Sequence, residues 1–303
     1  MRVSTIWTVG EVLIDLIPAS AGAERLPVVG GGPANTAKAL ARLGFDSYFI
    51  DGISDDEYGN MCRKELLANG VNLSHAPTIK KPTALAIVSL NEAGSASYEF
   101  KLDETATFDF NNSWLPDPSN PPAVLHVGTL GTIVEPGASV LFEWAQNVDA
   151  PIVYDPNIRS SVISDREKYL SSVVKWSALS AVVKMSDDDA KWLFPEKSLE
   201  DIAKTFLAMG VQLVVITLGA DGISGYTNRG EVRVPGVKVS VVDTVGAGDT
   251  VGAILVEAIC AFGINNLQGE QLESTLKRAA QAAAITCSRA GAKPPMKAEL
   301  EEC

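Results

Sequence analysis

Histidine is nearly absent from this 303-residue chain, with only His75 and His126, far apart. Neither carries metal-ligand spacing or a clustered partner, so an imidazole-based metal centre has no footing and both read as structural. Cysteine is scarce as well. Cys62, Cys260, Cys287 and Cys303 show neither paired nor zinc-like spacing, which predicts reduced thiols. No apolar stretch reaches the roughly 18 residues that crossing a bilayer requires. Basic residues are in deficit, 25 against 37 acidic, and the net charge of −12 argues against nucleic acid or an anionic membrane as partner. The segment Met1-Arg2-Val3-Ser4-Thr5-Ile6-Trp7 enters a strand-like run without a signal-peptide core, so a cytoplasmic location is predicted. Internal repeats and low-complexity linkers are lacking, and the prolines from Pro116 to Pro122 read as one surface loop. A hydrophobic content of 46% suffices for a large core, and one domain over residues 1–303 is expected.

What is present is an alternation. Short apolar runs at Ile6–Val9, Ala123–Val127, Ile152–Tyr154, Ala181–Val183 and Leu213–Ile216 read as buried parallel strands. Helical patterns lie at Ala34–Leu43, Ser139–Gln146, Leu199–Met209 and Glu273–Ser288. The predicted fold is α/β, a sandwich around a mostly parallel sheet. Residues 13–29 and 83–110 break this rhythm with strand-like pieces that would pair as a small projecting sheet.

The most informative segment is Asp243-Thr244-Val245-Gly246-Ala247-Gly248-Asp249. Valines 237, 239, 241 and 242 before it read as a strand. After it, Val251, Ile254, Leu255, Ala258, Ile259 and Phe262 recur at helical spacing up to Gly263. The glycines therefore open a helix, whose free N–H groups and dipole attract anions. A carboxylate beside bound phosphate makes sense if Asp249 handles a proton while Gly246, Ala247 and Gly248 hold phosphoryl oxygens. That pattern is phosphoryl transfer to a hydroxyl. Two plainer readings compete: a favourable first-turn carboxylate, and a loose dinucleotide fingerprint at Gly246, Gly248 and Gly252, which predicts nicotinamide binding. A second cluster, Gly30-Gly31-Gly32-Pro33-Ala34-Asn35, lets backbone approach a ligand while Asn35 offers donor and acceptor to polyol hydroxyls; a flexible turn is the alternative. Asp15 could accept two sugar hydroxyls or cap a turn.

These three elements in this order resemble the ribokinase-like (PfkB) carbohydrate kinase family over essentially the whole chain. The resemblance implies a three-layer α/β/α sandwich with a small β-sheet lid from about 13–29 and 83–110. It implies Asp249 as catalytic base, an anion hole at Gly246, Ala247 and Gly248, and sugar contacts at Asp15, Gly31, Gly32 and Asn35. Thr217-Leu218-Gly219-Ala220-Asp221-Gly222 resembles the nucleotide loop, with Thr217, Gly219 and Gly222 near phosphates, though an ordinary turn fits too. The segment around Ala283 resembles the adenine-pocket lining. Lys184 and Ser186 are placed with the nucleotide. Where the family often has Asn-x-x-Glu positioning hydrated Mg²⁺, this chain has Ser186-Asp187-Asp188-Asp189; Asp189 keeps a carboxylate one methylene shorter, and a solvated acidic turn competes. Asp243 matches part of the family's monovalent-cation (K⁺) site. ATP and Mg²⁺ are the implied cofactors, and relatives supply the analogy for a lid-mediated homodimer.

Asp155-Pro156-Asn157-Ile158-Arg159 resembles the corresponding segment of fructokinases and 2-keto-3-deoxygluconate kinases. Asn157 is placed with the substrate, and Arg159 could reach phosphates or a substrate carboxylate, or pair on the surface. Tyr98 and Phe100 would cover the sugar ring. A lid with Lys101 as its only cation suits a neutral ketose, so fructose is favoured over ribose and 2-keto-3-deoxygluconate. A catalytically silent sugar- or nucleotide-binding regulator is the non-kinase alternative.

Overall fold

The computed structural model describes residues 3–19, 25–90 and 96–301, with the side chains of Leu90, Ala96, Ser97 and Tyr98 outside that description. The chain opens with β1 (Thr5–Val9), leaves the body for β2 (Leu13–Pro18) and β3 (Arg25–Gly30), and returns through α1 (Gly32–Arg42) to β4 (Asp46–Ile50). Short β5 (Ile53–Ser54), α2 (Glu57–Ala68) and short β6 (Thr78–Ile79) lead to a second excursion, β7 (Leu85–Leu90) and β8 (Ala96–Lys101). Strands and helices then alternate: β9 (Val124–Gly128), α3 (Gly137–Ala145), β10 (Ile152–Asp155), α4 (Arg166–Ser177), β11 (Val182–Ser186), α5 (Asp187–Leu193), α6 (Leu199–Leu207) and β12 (Leu213–Thr217). The hairpin β13 (Ile223–Thr227) and β14 (Gly230–Val234) precedes α7 (Ala247–Phe262), α8 (Gly269–Cys287) and α9 (Lys297–Glu301).

The eight-stranded sheet has the order β14-β13-β12-β11-β10-β9-β1-β4. Its pairs are parallel except β12–β13 and β13–β14. Central strands such as β9 are buried throughout, as expected when helices cover both faces. Tyr169, Trp176 and Phe206 from α4 and α6 fill one side; Leu40, Ile254, Leu255 and Leu276 from α1, α7 and α8 fill the other. The result is the three-layer sandwich.

Local chemistry sets the helix ends. Asp56, Asp165 and Ser198 each accept the N–H three residues on, closing the first turns of α2, α4 and α6. Pro33 opens α1, and Gly246, at φ 80°, turns the chain into α7.

Both irregular stretches pair as predicted, in a four-stranded sheet of order β3-β2-β7-β8. Asp15, Ala86 and Phe100 stand in one row across it. Two expectations fail. The valines at 237–242 form no strand; Val237, Val241 and Val242 run exposed without ladder partners, because a β-branched run without a neighbouring edge has nothing to pair with. Lys101 is not the small sheet's only cation either: Arg25 on β3 bonds the carbonyls of Leu16 and Val88.

Candidate functional site

The carboxyl ends of β1, β9, β10, β11 and β12 gather at one rim, where open α/β sheets leave their crevice. Helix α7 delivers its N-terminus to that rim, carrying Asp249 in its first turn. The Asp249 side chain is buried and accepts a hydrogen bond from Asn35 Nδ2 at 2.9 Å. Burial pushes its carboxyl up to about 6, against the nearby Lys184 charge and the Asn35 bond, which hold it down. Asn35 Oδ1 is buried without a partner among the described residues.

Gly32 shows how tightly the polar groups converge. A Cβ there would lie 2.8 Å from Thr129 Oγ1, 3.0 Å from Asn157 Nδ2 and 3.2 Å from Asp249 Oδ1. Three polar atoms thus surround one small space that only hydrogen keeps open. Gly31 does something different: at φ 108° its missing side chain faces the Glu11 carbonyl, so it is required by the chain path. Asp15 presses its carboxylate against Gly30, and burial raises it to about 6 despite Arg159. Glu11, fully buried between Gly131 N–H and the Arg159 charge, is pushed up to about 7, mainly by burial.

Arg159 is folded inward rather than paired on the surface. Its Nη1 donates to Asn157 Oδ1 at 2.7 Å and to the Asn157 and Ile158 carbonyls at 3.1 Å. Phe100 packs with Leu13, Ala84 and Ala86 on the face that carries Asp15. Tyr98 lies on β8 two residues away, its side chain outside the described residues.

On the other side of the α7 N-terminus lies a cavity of about 600 Å³. Thr217, Gly219, Gly222, Ala283 and Gly248 all line it, together with the exposed valine segment. Gly222, at φ 108°, has its Cα against the Val234 carbonyl, so it also locks the nucleotide-like loop onto residues 234–236. Ser186 does not reach the cavity; its hydroxyl caps α5.

Lys184 is buried beneath the cradle. Its Nζ bonds Asp155 Oδ2 at 2.7 Å and lies 2.8 Å from where a Gly248 Cβ would be. Burial alone would lower this ammonium, but Asp155 outweighs it, with Asp249 and Asp189 adding, and the group stays above its ordinary range. The acidic chain thus keeps local cations at this rim. Among the cradle amides, Ala247 N–H reaches back to the Thr244 carbonyl at 3.3 Å and is the one already engaged.

The two metal expectations meet competing structural duties. Asp189 Oδ1 accepts Ile158 N–H and Oδ2 accepts Ser186 N–H, completing a capping box. Asp243 Oδ1 and Oδ2 accept Val245 and Gly291 N–H. Among the described residues no group of three or more His, Cys, Asp or Glu side chains could hold an ion. Among the described residues two buried carboxylate oxygens are without a partner, Asp51 Oδ2 and Asp155 Oδ1, and the second belongs to the carboxylate that holds Lys184. Asp155 stood in a recognised segment without a role, and its orphaned oxygen is visible only in three dimensions.

The dinucleotide reading fails on topology. After α7 comes α8, not a strand, and Gly252 faces inward, a Cβ there meeting His126 Nε2 at 3.2 Å. His126 itself is buried and lowered to about 3 by burial and then Lys184, hence neutral.

Residues 4–299 match the family model described as pfkB family carbohydrate kinase. A fructokinase of Rhizobium leguminosarum bv. trifolii is 37% identical over 256 residues, 82% of this chain and 78% of the relative. A fructokinase of Xylella fastidiosa with bound ATP superposes with a TM-score of 0.90 at 26% identity, over 98% of this chain and 97% of that one. A fructokinase of Vibrio cholerae O395, solved with fructose, ADP and calcium, gives 0.87 at 28% identity over 99% and 98%.

Proposed function

The chain belongs to the pfkB family of carbohydrate kinases, and from that premise we propose that it transfers the γ-phosphoryl group of ATP to a primary hydroxyl of fructose. One observation carries the assignment: consecutive residues at the start of α7 face two spaces. Gly248 lines the 600 Å³ cavity, while Asp249 Oδ1 reaches the crevice at Gly32. A donor in the first and an acceptor hydroxyl in the second meet across one helix turn, the proximity an in-line displacement needs.

Asp249 takes the proton of the hydroxyl as it attacks phosphorus. The α7 N–H groups, chiefly those of Gly246 and Gly248, and the Lys184 charge offset negative charge on the transferring group. Asn35 orients the base and offers its free Oδ1 to sugar; Asp15 and Asn157 complete the polar lining, and Phe100 adds an apolar face beside Asp15. Arg159 holds Asn157 in place. A divalent cation, Mg²⁺ in this reading, neutralises phosphate charge when bound with ATP. Such an ion would need few protein carboxylates because it would keep most of its water, which fits a rim offering Asp155 Oδ1 and Asp189, each of whose oxygens already accepts one backbone N–H. Asp243 is left to K⁺ as a second, separate proposal. The protein acts in the cytoplasm; among the described residues no helix is long and apolar enough to cross a membrane. The replacement of the family's metal-positioning Asn and Glu by Ser186 and Asp189 favours a silent regulator, but a binder has no use for a buried base beside an amide cradle.

The test is ADP formation from ATP and Mg²⁺ with fructose, ribose, 2-keto-3-deoxygluconate and nucleosides. Fructose is expected to give the highest kcat/KM; preference for another sugar would move the assignment within the family, and no turnover with any would favour the regulator.

Two more outcomes follow. Asp249 must be ionised to act, and its carboxyl sits near 6, so kcat/KM should fall about tenfold per pH unit below that point. Asp15, also near 6, makes the fall steeper if both must be ionised. A profile from pH 5 to 8 that stays flat contradicts this. Separately, Ala283→Leu fills the cavity wall and should raise the KM for ATP about tenfold, in line with overpacking penalties, while the KM for fructose holds.

A further inference from the structure

We propose that Thr129 determines sugar specificity: its hydroxyl, paired with the Asn157 amide, binds a second sugar hydroxyl close in space to the one that Asp249 deprotonates, and so helps to fix which hydroxyl is phosphorylated. The inference rests on the sugar-kinase reading and adds to it a residue that neither the glycine motifs nor the catalytic segment point to.

Three independent observations meet at this residue. The first is backbone conformation. Thr129 has φ 55° and Asn157 has φ 38°. Asparagine tolerates that region, whereas a β-branched side chain there is strained and is kept only when its surroundings over-determine it. The surroundings do so: Thr132 Oγ1 donates to the Thr129 carbonyl at 2.8 Å, and Gly128, just before it, packs against the Asp155 backbone. Strain of this kind collects at functional sites, and glycine would have been the unstrained choice.

The second is polarity. Thr129 is 3% exposed and accepts Asn157 Nδ2 at 3.3 Å. Arg159 fixes the orientation of that amide by donating to Asn157 Oδ1 at 2.7 Å, so the NH₂ group must face Thr129. Once Oγ1 accepts this bond, its own O–H still has a proton to donate, and no acceptor for it is found among the described contacts. The third is location. Thr129 Oγ1, Asn157 Nδ2 and Asp249 Oδ1 all lie within 3.2 Å of one point above Gly32. A hydroxyl bound in the crevice beside Gly32, facing these three atoms, receives an N–H from Asn157 and gives and takes with the threonine hydroxyl, while the sugar's primary O–H meets the base. A primary hydroxyl with a ring hydroxyl close to it in space has this donor–acceptor pattern; a methylene in place of that ring hydroxyl, as in a deoxy sugar, leaves the Thr129 O–H and an Asn157 N–H unmet.

The test compares Thr129→Val, Thr129→Ser and Thr129→Gly with the parent, reading fructose affinity by titration calorimetry, kcat/KM for fructose and ribose, and melting temperature. Valine keeps the shape and loses the hydroxyl; it should weaken fructose binding about tenfold, the scale of one hydrogen bond, with the ATP KM unchanged. It should also lower the fructose-to-ribose ratio. Serine should stay within about threefold. Glycine separates function from fold: relief of strain should leave the melting temperature no lower than the parent's, yet fructose binding should fall as in the valine variant. The proposal is overturned if valine binds fructose within twofold of the parent, if the glycine variant melts early but keeps full affinity, or if the parent binds no sugar. Parent protein that binds fructose without making ADP removes the kinase reading alone, because calorimetry still decides the role of Thr129.

Discussion

Asp249→Asn is expected to lower turnover about 10²–10⁴-fold, the range for loss of a general base, without unfolding the protein or releasing the sugar. Asparagine has the same outline and keeps an oxygen to accept the Asn35 Nδ2 bond now made at 2.9 Å. The buried carboxyl is already pushed toward its neutral form, up to about 6, so a neutral amide is at least as comfortable there. The Thr250 hydroxyl, bonded to the Gly246 carbonyl and to Thr286, and the Thr250 N–H to Gly246 continue to hold the first turn of α7. A coupled assay for ADP, with fructose affinity measured in parallel, distinguishes the outcomes. Turnover within tenfold of the parent would falsify the base assignment; lost sugar affinity with lost turnover would make Asp249 a binding group first.

Gly32→Ala should be the most damaging change of a single atom. Gly32 begins α1 and is absent from the positive-φ glycines, so alanine meets no backbone obstacle, and helix propensity favours it by up to about 1 kcal/mol. The protein should still fold, with a modest loss of stability as Thr129 and Asn157 shift to relieve the overlap. Its new methyl, however, lies under 3 Å from the Thr129 hydroxyl and 3.0 Å from the Asn157 amide, so it pushes both off the positions from which they would meet a sugar. A displacement of about 1 Å in the reacting pair costs on the order of 10²-fold in rate. The expected result is a cooperative melt only slightly below the parent's, with kcat/KM for fructose down at least that far. Gly31→Ala is the control: at φ 108° and against the Glu11 carbonyl, it should lower stability as well. If both variants lose stability alike, or Gly32→Ala keeps its activity, the crevice lies elsewhere.

Much of the architecture was legible beforehand. The runs at Ile6–Val9, Leu213–Ile216 and their counterparts became β1, β9, β10, β11 and β12, because strands buried on both faces are apolar without interruption. Strand β4, with Asp46, Ser47 and Tyr48 among its five residues, carried too little of that signal. The hairpin β13–β14 is similarly diluted by glycine, threonine and charge. The valines at 237–242 misled in the opposite direction, since pairing depends on a partner edge that composition does not disclose. At the site, Asp249, Gly32 and Asn35 were legible because glycine runs and a first-turn carboxylate leave a local imprint. Thr129 and Asp155 were not, since a left-handed φ and an orphaned oxygen arise only from packing. Nor could spacing reveal that Asp189 and Asp243 spend both oxygens on backbone N–H groups.

The unpaired valines have a practical corollary. Val237, Val239 and Val241 form a wall of the cavity at the α7 N-terminus, and with Val242 and Val245 they keep between 38% and 62% of their surface open. In the empty enzyme this greasy strip is wetted, whereas a purine laid along it would shed that water. Preparations stripped of nucleotide should therefore cling to hydrophobic resins and to one another, and ATP in the buffer should serve as a handling additive as much as a reactant.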